Sequence, residues 1–242
     1  MLNPHVKTMQ TSSILFDRNV YANISEDWFL ESYWHDHQLV INEISGRGSV
    51  FVVRQEEETW VLRHYRRGGF MMQLTEDSYV WTGLERTRSF REWHLLHELY
   101  NRGLPVPCPV AAQVIRHGIF YQANIITQCI EHTRSWASMV ISGQAQKSQW
   151  EGVGMTLRRF HDEGVNHADL NAHNILIDTF NRVFLVDFDR SSVVSDGSWK
   201  KTNIKRLLRS LRKLSLETGA RFDEIGWKEL LRGYNSGLYI SG

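Results

Sequence analysis

Residues 167–176 read HADLNAHNIL, with two histidines, an aspartate and two asparagines ahead of an apolar run. Asp169 and Asn174 stand five residues apart, and a second acidic pair follows in FLVDFDR, residues 184–190. The short β-rich runs NILID and RVFLVDFD bracket a turn and predict a hairpin. Asp169 and Asn174 then lie on the loop that enters it, and Asp187 at the end of its second strand. A carboxylate with an amide oxygen suits Mg²⁺, which keeps several waters and takes further oxygens from substrate phosphates. Asn174 and Asp187 are thus candidate metal ligands, leaving Asp169 to orient an attacking hydroxyl. Phosphoryl transfer needs that division of labour, because its loose transition state asks for positioning and charge neutralisation.

Outward from this stretch, KSQWEGVGMTLRRFHDEGV (147–165) has helical spacing, with Gly164 as its stop. Upstream, residues 38–64 predict three antiparallel strands with turns at Gly46 to Gly48 and at QEEE. A helix within 86–109 follows, ended by Gly103 and Pro105, and then a hairpin over 110–128 around His117 and Gly118. The expected organisation is two lobes. Residues 1–128 form a sheet with one helix, residues 1–35 being an N-terminal extension, and residues 129–242 are mostly helical with one small hairpin. A linker is expected near 128–132, and the halves are expected to close on a shared cleft.

The bulk composition sets limits. A chain of 242 residues with 42% hydrophobic content builds a real core. A net charge of +1 from 28 basic and 27 acidic residues excludes a globally basic nucleic-acid binder, and no nucleic-acid partner is expected. Cys108 and Cys129 lie far apart without a CxxC, which favours reduced thiols and a cytosolic compartment. No stretch approaches the roughly 20 apolar residues of a membrane span, and MLNPHVKTMQ lacks the order of a signal peptide.

HADLNAHN resembles the H-R-D-x-x-x-x-N catalytic loop of the protein-kinase-like superfamily, with Ala168 at the arginine position. VDFD resembles D-F-G with Asp189 at the glycine. LRRFHDEGVNHAD resembles the run that leads into that loop. ISGRGSVFVV resembles the glycine-rich phosphate loop, keeping Gly46 and Gly48 with Phe51 near the place of the third glycine. WVLRHY aligns with V-A-I-K, putting Arg63 at the lysine, and Glu92 matches its ion-pair partner. The resemblance implies an α+β bilobal protein-kinase-like fold in which Gly46, Gly48, Arg63 and Glu92 serve ATP. It implies that Asn174 and Asp187 hold Mg²⁺ and that Asp169 is catalytic. The altered arginine and glycine, and the lack of an A-P-E segment, remove the parts that couple a protein kinase to its activation loop.

Longer stretches, VLRHYRRGG, GLPVPCPVAA, HADLNAHNILID, DFDR and RLLRSLRK, together resemble the 3-deoxy-D-manno-octulosonic acid (Kdo) kinase family over roughly residues 40–215. That resemblance implies transfer of phosphate from ATP to the 4-hydroxyl of Kdo on the lipid A precursor, in lipopolysaccharide core assembly. It also implies a place at the cytoplasmic face of the bacterial inner membrane, or in the cytoplasm. A kinase of another sugar, small molecule or protein, and a non-catalytic pseudokinase that binds a glycolipid or partner, stand as alternatives.

KKTNIKRLLRSLRK, residues 200–213, carries seven cations and no acid. At helical spacing Ile204, Leu207, Leu208, Leu211 and Leu214 share one face and most cations the other. An anionic membrane surface would attract such a helix, at about 1 kcal/mol per nearby cation. A helix packed through its leucines, with merely solvated cations, is the equal alternative. Arg66 and Arg67 in RHYRRGG, with Arg190, Arg206 and Arg209, are candidate contacts for anionic substrate groups. His35 and His37, and His94 and His97, read as surface or packing residues, and His167 as a brace of the catalytic loop.

Overall fold

The computed structural model describes residues 3–21, 24–44, 50–65, 78–219 and 221–236. Gly46, Gly48, Arg66 and Arg67 lie outside these residues. The chain divides into two compact units, Met1–Gly103 with Pro107–Cys129, and Leu104–Val106 with Ile130–Gly242.

The first unit is built on an antiparallel sheet. Its elements are β1 (Pro4–Thr8), β2 (Ser12–Asp17), α1 (Glu31–Asp36), β3 (Val40–Ile44), β4 (Val50–Gln55), β5 (Glu58–His64), β6 (Tyr79–Val80), α2 (Arg88–Asn101), β7 (Pro109–His117) and β8 (Phe120–Gln128). The strand order is β1-β2-β7-β8-β5-β4-β3, with β6 pairing β8. The three-strand meander and the β7–β8 hairpin lie where the sequence predicts them, because turn chemistry and period-2 patterning are local signals. α2 ends where Gly103 takes a positive φ of 70°. Phe90, Trp93, Leu96 and Leu99 bury its apolar stripe.

Described parts of residues 1–35 join the sheet and the core of this unit. Ser12 of β2 pairs with Ile115 of β7, which adds the β1–β2 hairpin to the sheet. Phe29 and Trp34 join Ile14, Phe51, Trp60 and Leu62 in one buried cluster. Trp34 donates its indole N–H to the Trp28 carbonyl at 2.8 Å, so its polar edge is satisfied inside the core. The segment therefore adds α1 to the single helix the sequence predicts in this unit. Cys108 and Cys129 are partly buried, and burial raises the Cys108 thiol to about 11.

The second unit runs β9 (Thr133–Ser135), α3 (Trp136–Ile141), α4 (Lys147–Asp162), β10 (Val165–Asn166), β11 (Ile175–Asp178), β12 (Val183–Leu185), β13 (Ser192–Val193), α5 (Trp199–Thr218) and α6 (Glu224–Ser236). β11 is the middle strand between β12 and β9, and β10 pairs β13. The predicted hairpin is β11–β12, with Ile175 opposite Leu185. α4 and α6 cross at glycines. A Cβ on Gly154 would lie 2.0 Å from the Leu230 carbonyl oxygen, and one on Gly233 would lie 2.2 Å from that of Glu151. The whole is α+β, an antiparallel sheet with helices followed by a mainly helical unit, as the protein-kinase-like resemblance implies.

The basic helix is α5, and its leucine face is used in packing. Leu207 and Leu211 are fully buried and Leu214 nearly so, while Ile204 and Leu208 are half-buried. Lys201, Lys205, Arg209, Arg212 and Lys213 are exposed. Arg206 departs from the expected cationic face, because it turns toward the loop that carries Asp169.

Candidate active site

In the second unit the site is a loop held from three sides. Asn171 starts a 3-10 turn, its side-chain oxygen accepting from the N–H groups of His173 at 2.9 Å and Asn174 at 3.2 Å. Its Nδ2 donates to the Asp169 carbonyl at 3.0 Å and to Asp169 Oδ2 at 3.3 Å. Asn174 also donates Nδ2 to the Asp169 carbonyl, at 3.0 Å. That bond fixes the amide's orientation and leaves Oδ1 as its acceptor atom. The five-residue spacing now has a physical reason, since one short turn lets the amide lock the backbone of the acid.

Asp187 is brought beside Asn174 by the hairpin, because the Val186 N–H donates to the Asn174 carbonyl at 3.0 Å. Its backbone is left-handed, φ +62°, a region that aspartate tolerates better than most residues and that clusters at functional sites. Arg190 takes φ +59°, whereas position 189, where the motif has glycine, has no positive φ. Asp189 can therefore stand there without the strain a glycine would relieve. Phe188 is buried, stacked on Phe160 at 6.0 Å and tilted against His167 at 4.8 Å. Arg190 is exposed at the turn.

His167 is the central brace. Its Nδ1 accepts from the Asp169 N–H at 3.3 Å, which leaves Nε2 to carry the proton and donate to the Val186 carbonyl at 3.1 Å. Burial holds its pKa below the ordinary histidine range, so the ring is neutral. At Ala168 the arginine of the motif is absent, and the loop docks instead through the Ala168 N–H to Ser191 Oγ at 3.0 Å.

α5 supplies the third side. Asn203 bonds the His167 backbone, and Ser210 Oγ accepts from the Ala172 N–H at 3.3 Å. Between them, Arg206 Nη1 lies 3.6 Å from Asp169 Oδ1, with side-chain exposures of 42% and 61%. A pair so exposed contributes less than about 1 kcal/mol to stability. Asn203, Ser210, Ser191 and the Arg206–Asp169 pair carry no local sequence signal. Asn203, Arg206 and Ser210 share one face of α5 by their spacing of three and four.

In the first unit, Arg63 on β5 and Glu92 on α2 form an ion pair. Arg63 Nη2 is 2.5 Å from both carboxylate oxygens, and Glu92 is 3% exposed. The Tyr65 hydroxyl also donates to Glu92, and the Arg63 guanidinium lies 4.9 Å from the Tyr65 ring centroid. Tyr65 was not legible as part of this site. The neighbouring His64 donates Nδ1–H to Asn124 Oδ1 at 2.6 Å, and Asn124 donates to Gln113 at 2.8 Å, a polar chain across β5, β8 and β7.

The donor set at Asn174 and Asp187, an amide oxygen and a carboxylate, fits Mg²⁺, which needs only one or two protein carboxylates besides substrate phosphates. The discounted histidines have other employment. His37 bonds the Tyr33 carbonyl at 2.7 Å, His35 packs on Phe51, His94 faces Glu85 and His97 stacks on Trp93. Arg209 is exposed on α5.

Residues 31–234 match the family model of the lipopolysaccharide kinase (Kdo/WaaP) family. The chain belongs to that family. Among its relatives are proteins called 3-deoxy-D-manno-octulosonic acid kinase. That of Xylella fastidiosa (strain M23) is 39% identical over 97% of this chain and 94% of its own. That of Vibrio parahaemolyticus is 38% identical over 89% of each. That of Stenotrophomonas maltophilia is 40% identical over 92% of this chain and 89% of its own. A solved structure of the bifunctional kinase-methyltransferase WbdD is similar at a TM-score of 0.47 and 14% identity, covering 79% of this chain and 42% of that one. A likeness that slight adds nothing to the family assignment.

Proposed function

We propose that this family member is a 3-deoxy-D-manno-octulosonic acid kinase, which transfers the γ-phosphoryl group of ATP to the 4-hydroxyl of Kdo on the lipid A precursor during lipopolysaccharide core assembly. The observation that carries this reading is the frame of Asp169, Asn174 and Asp187, in which the amide is tied to the backbone of the acid and the second acid follows across the hairpin. The names of the relatives supply the acceptor.

Asp169 accepts a hydrogen bond from the acceptor hydroxyl and orients its oxygen toward the γ-phosphorus. Its backbone is fixed by His167, Asn171 and Asn174, so the carboxylate needs little rearrangement to act. Asn174 and Asp187 would hold Mg²⁺, which when bound supplies charge neutralisation at the phosphates. Arg63, held by Glu92 and Tyr65, binds ATP phosphate oxygens, together with the Gly46–Gly48 turn. Residues 1–128 thus serve as the nucleotide-binding lobe and 129–242 as the catalytic lobe. Arg66, Arg67, Arg190 and Arg209 are candidates for the anionic groups of the glycolipid.

The substrate sits in a membrane, and the exposed cations of α5 give the protein an electrostatic means of visiting the anionic face of the inner membrane. No described helix is long and apolar enough to cross a membrane. Mass spectrometry of Kdo-bearing lipid A precursor incubated with protein, ATP and Mg²⁺ tests the reading, with Asp169→Ala in parallel. The expected result is a gain of one phosphate that vanishes in the variant. An unmodified acceptor, with ATP nevertheless bound, would discard the acceptor.

A further inference from the structure

We infer that Arg206 is a further catalytic residue, an arginine supplied by α5 that stabilises the charge on the transferring phosphoryl group beside Asp169. The inference rests on the proposed role of Asp169 in orienting the attacking hydroxyl. A hydroxyl that donates to Asp169 places its oxygen about 3 Å from the carboxylate, with phosphorus in line beyond it. A guanidinium whose Nη1 is 3.6 Å from Asp169 Oδ1 is therefore within reach of the phosphoryl oxygens.

The donors of Arg206 are available for that task. A guanidinium presents five N–H groups in a fork that matches phosphate. The contact to Asp169 is longer than a good hydrogen bond, which leaves the Nη donors of this half-exposed side chain for a ligand, while Arg206 Nε is itself buried without a hydrogen-bond partner. An unpaired buried N–H on a charged group is costly in a purely structural residue. The catalytic loop itself, residues 167–174, contains no lysine or arginine. Arg206 supplies the cation that this loop lacks. Its position is defined, because Asn203 and Ser210 tie α5 to the loop on either side and Leu207 is fully buried.

In the step, the acceptor oxygen forms the new P–O bond and the bond from the γ-phosphorus to the bridging oxygen breaks, its electron pair leaving with ADP. The hydroxyl proton passes to the Asp169 carboxylate. Arg206 keeps its protons and donates hydrogen bonds to the phosphoryl oxygens as their charge is redistributed.

Steady-state kinetics of the full chain with Kdo-bearing lipid A precursor, ATP and Mg²⁺ test this, together with nucleotide Kd from a fluorescent ATP analogue and with melting temperature. Arg206→Gln should lower kcat by about 100-fold or more, with nucleotide Kd and acceptor KM changed by less than about threefold. Arg206→Lys should recover part of the loss, and neither variant should melt much lower. An unchanged kcat overturns the inference. So does a loss confined to acceptor KM, which would make Arg206 a reader of an anionic group on the acceptor. Should Arg206→Gln fail to fold, Arg206→Lys decides, with a roughly tenfold lower kcat expected and wild-type kcat overturning the assignment. A wild type that leaves the Kdo acceptor unmodified refutes the proposed acceptor instead, and Arg206 is then judged by hydrolysis of ATP to water. Arg206→Gln should lower that rate as well, and equal hydrolysis overturns the inference.

Discussion

Asn203 on α5 grips both backbone polar groups of His167. Its Oδ1 accepts from the His167 N–H and its Nδ2 donates to the His167 carbonyl, each at 3.2 Å. Both residues are buried, so removing the amide strands two groups that water cannot reach. Asn203→Leu should destabilise the protein by about 2–4 kcal/mol in urea unfolding. It should also lower kcat under conditions where the variant is still folded, because the backbone that carries Asp169 loosens. Asn203→Asp keeps the acceptor and loses the donor, and should fall between. A fully active Asn203→Leu enzyme would show that the loop holds its geometry without this clamp.

Arg63 Nη2 reaches both oxygens of Glu92. A single ammonium can make the same kind of contact, so Arg63→Lys should keep the pair and most of the fold. Arg63→Ala takes a cation away from a carboxylate that is 3% exposed. The expected cost is about 3–5 kcal/mol, with loss of ATP binding. Chemical denaturation and nucleotide titration of the two variants check the contrast, and equal stability of both would refute it.

The α4–α6 crossing provides a test with an internal control. Gly154→Ala and Gly233→Ala each gain up to about 1 kcal/mol of helix propensity, yet push a methyl into the backbone of the facing helix. Net destabilisation of about 1–3 kcal/mol is expected. Gly152, on the same helix, would bring a Cβ only to 3.7 Å from Val183 Cγ2. Gly152→Ala should be neutral or stabilising. Thermal melts of the three variants suffice.

Stability should fall with acid in a window set partly by His161. Burial lowers this imidazole to about 4 from 6.5, and Nδ1 bonds the Tyr234 hydroxyl at 2.6 Å. The folded state thus resists protonation that the unfolded chain accepts. Its contribution is complete above pH 6.5, is lost progressively as pH falls toward 4, and changes no further below that. The loss is at most about 3 kcal/mol. Urea unfolding at pH 7.5 and pH 4.5 should show a smaller difference in His161→Gln than in wild type. Parallel pH dependences would exclude the assignment.

What was legible in the sequence was what local physics decides. The five-residue spacing of Asp169 and Asn174, the β11–β12 hairpin that follows, and the glycines that end α2 and α4 all act within one turn or one strand pair. The pairing of Arg63 with Glu92 came from the family pattern, and the structure brings the two together across 29 residues. The Gly46–Gly48 turn and Arg66 and Arg67 fall outside the described residues.

By itself, then, the sequence determined the α+β class, through periodicity and turn residues, and its resemblance to known motifs pointed to the family and to the candidate catalytic loop. Only the tertiary structure decided how α5 packs. Its leucine face packs inward and its exposed cations are left for solvent or an anionic surface, and its place is fixed by contacts made 36 to 38 residues away, at His167 and Ala172. Tertiary packing likewise brought described parts of residues 1–35 into sheet and core, since Ser12 finds Ile115 only after the chain has folded back on itself. It also carried Arg206 from a solvated face to Asp169, a placement that no pattern of spacing within the helix contains.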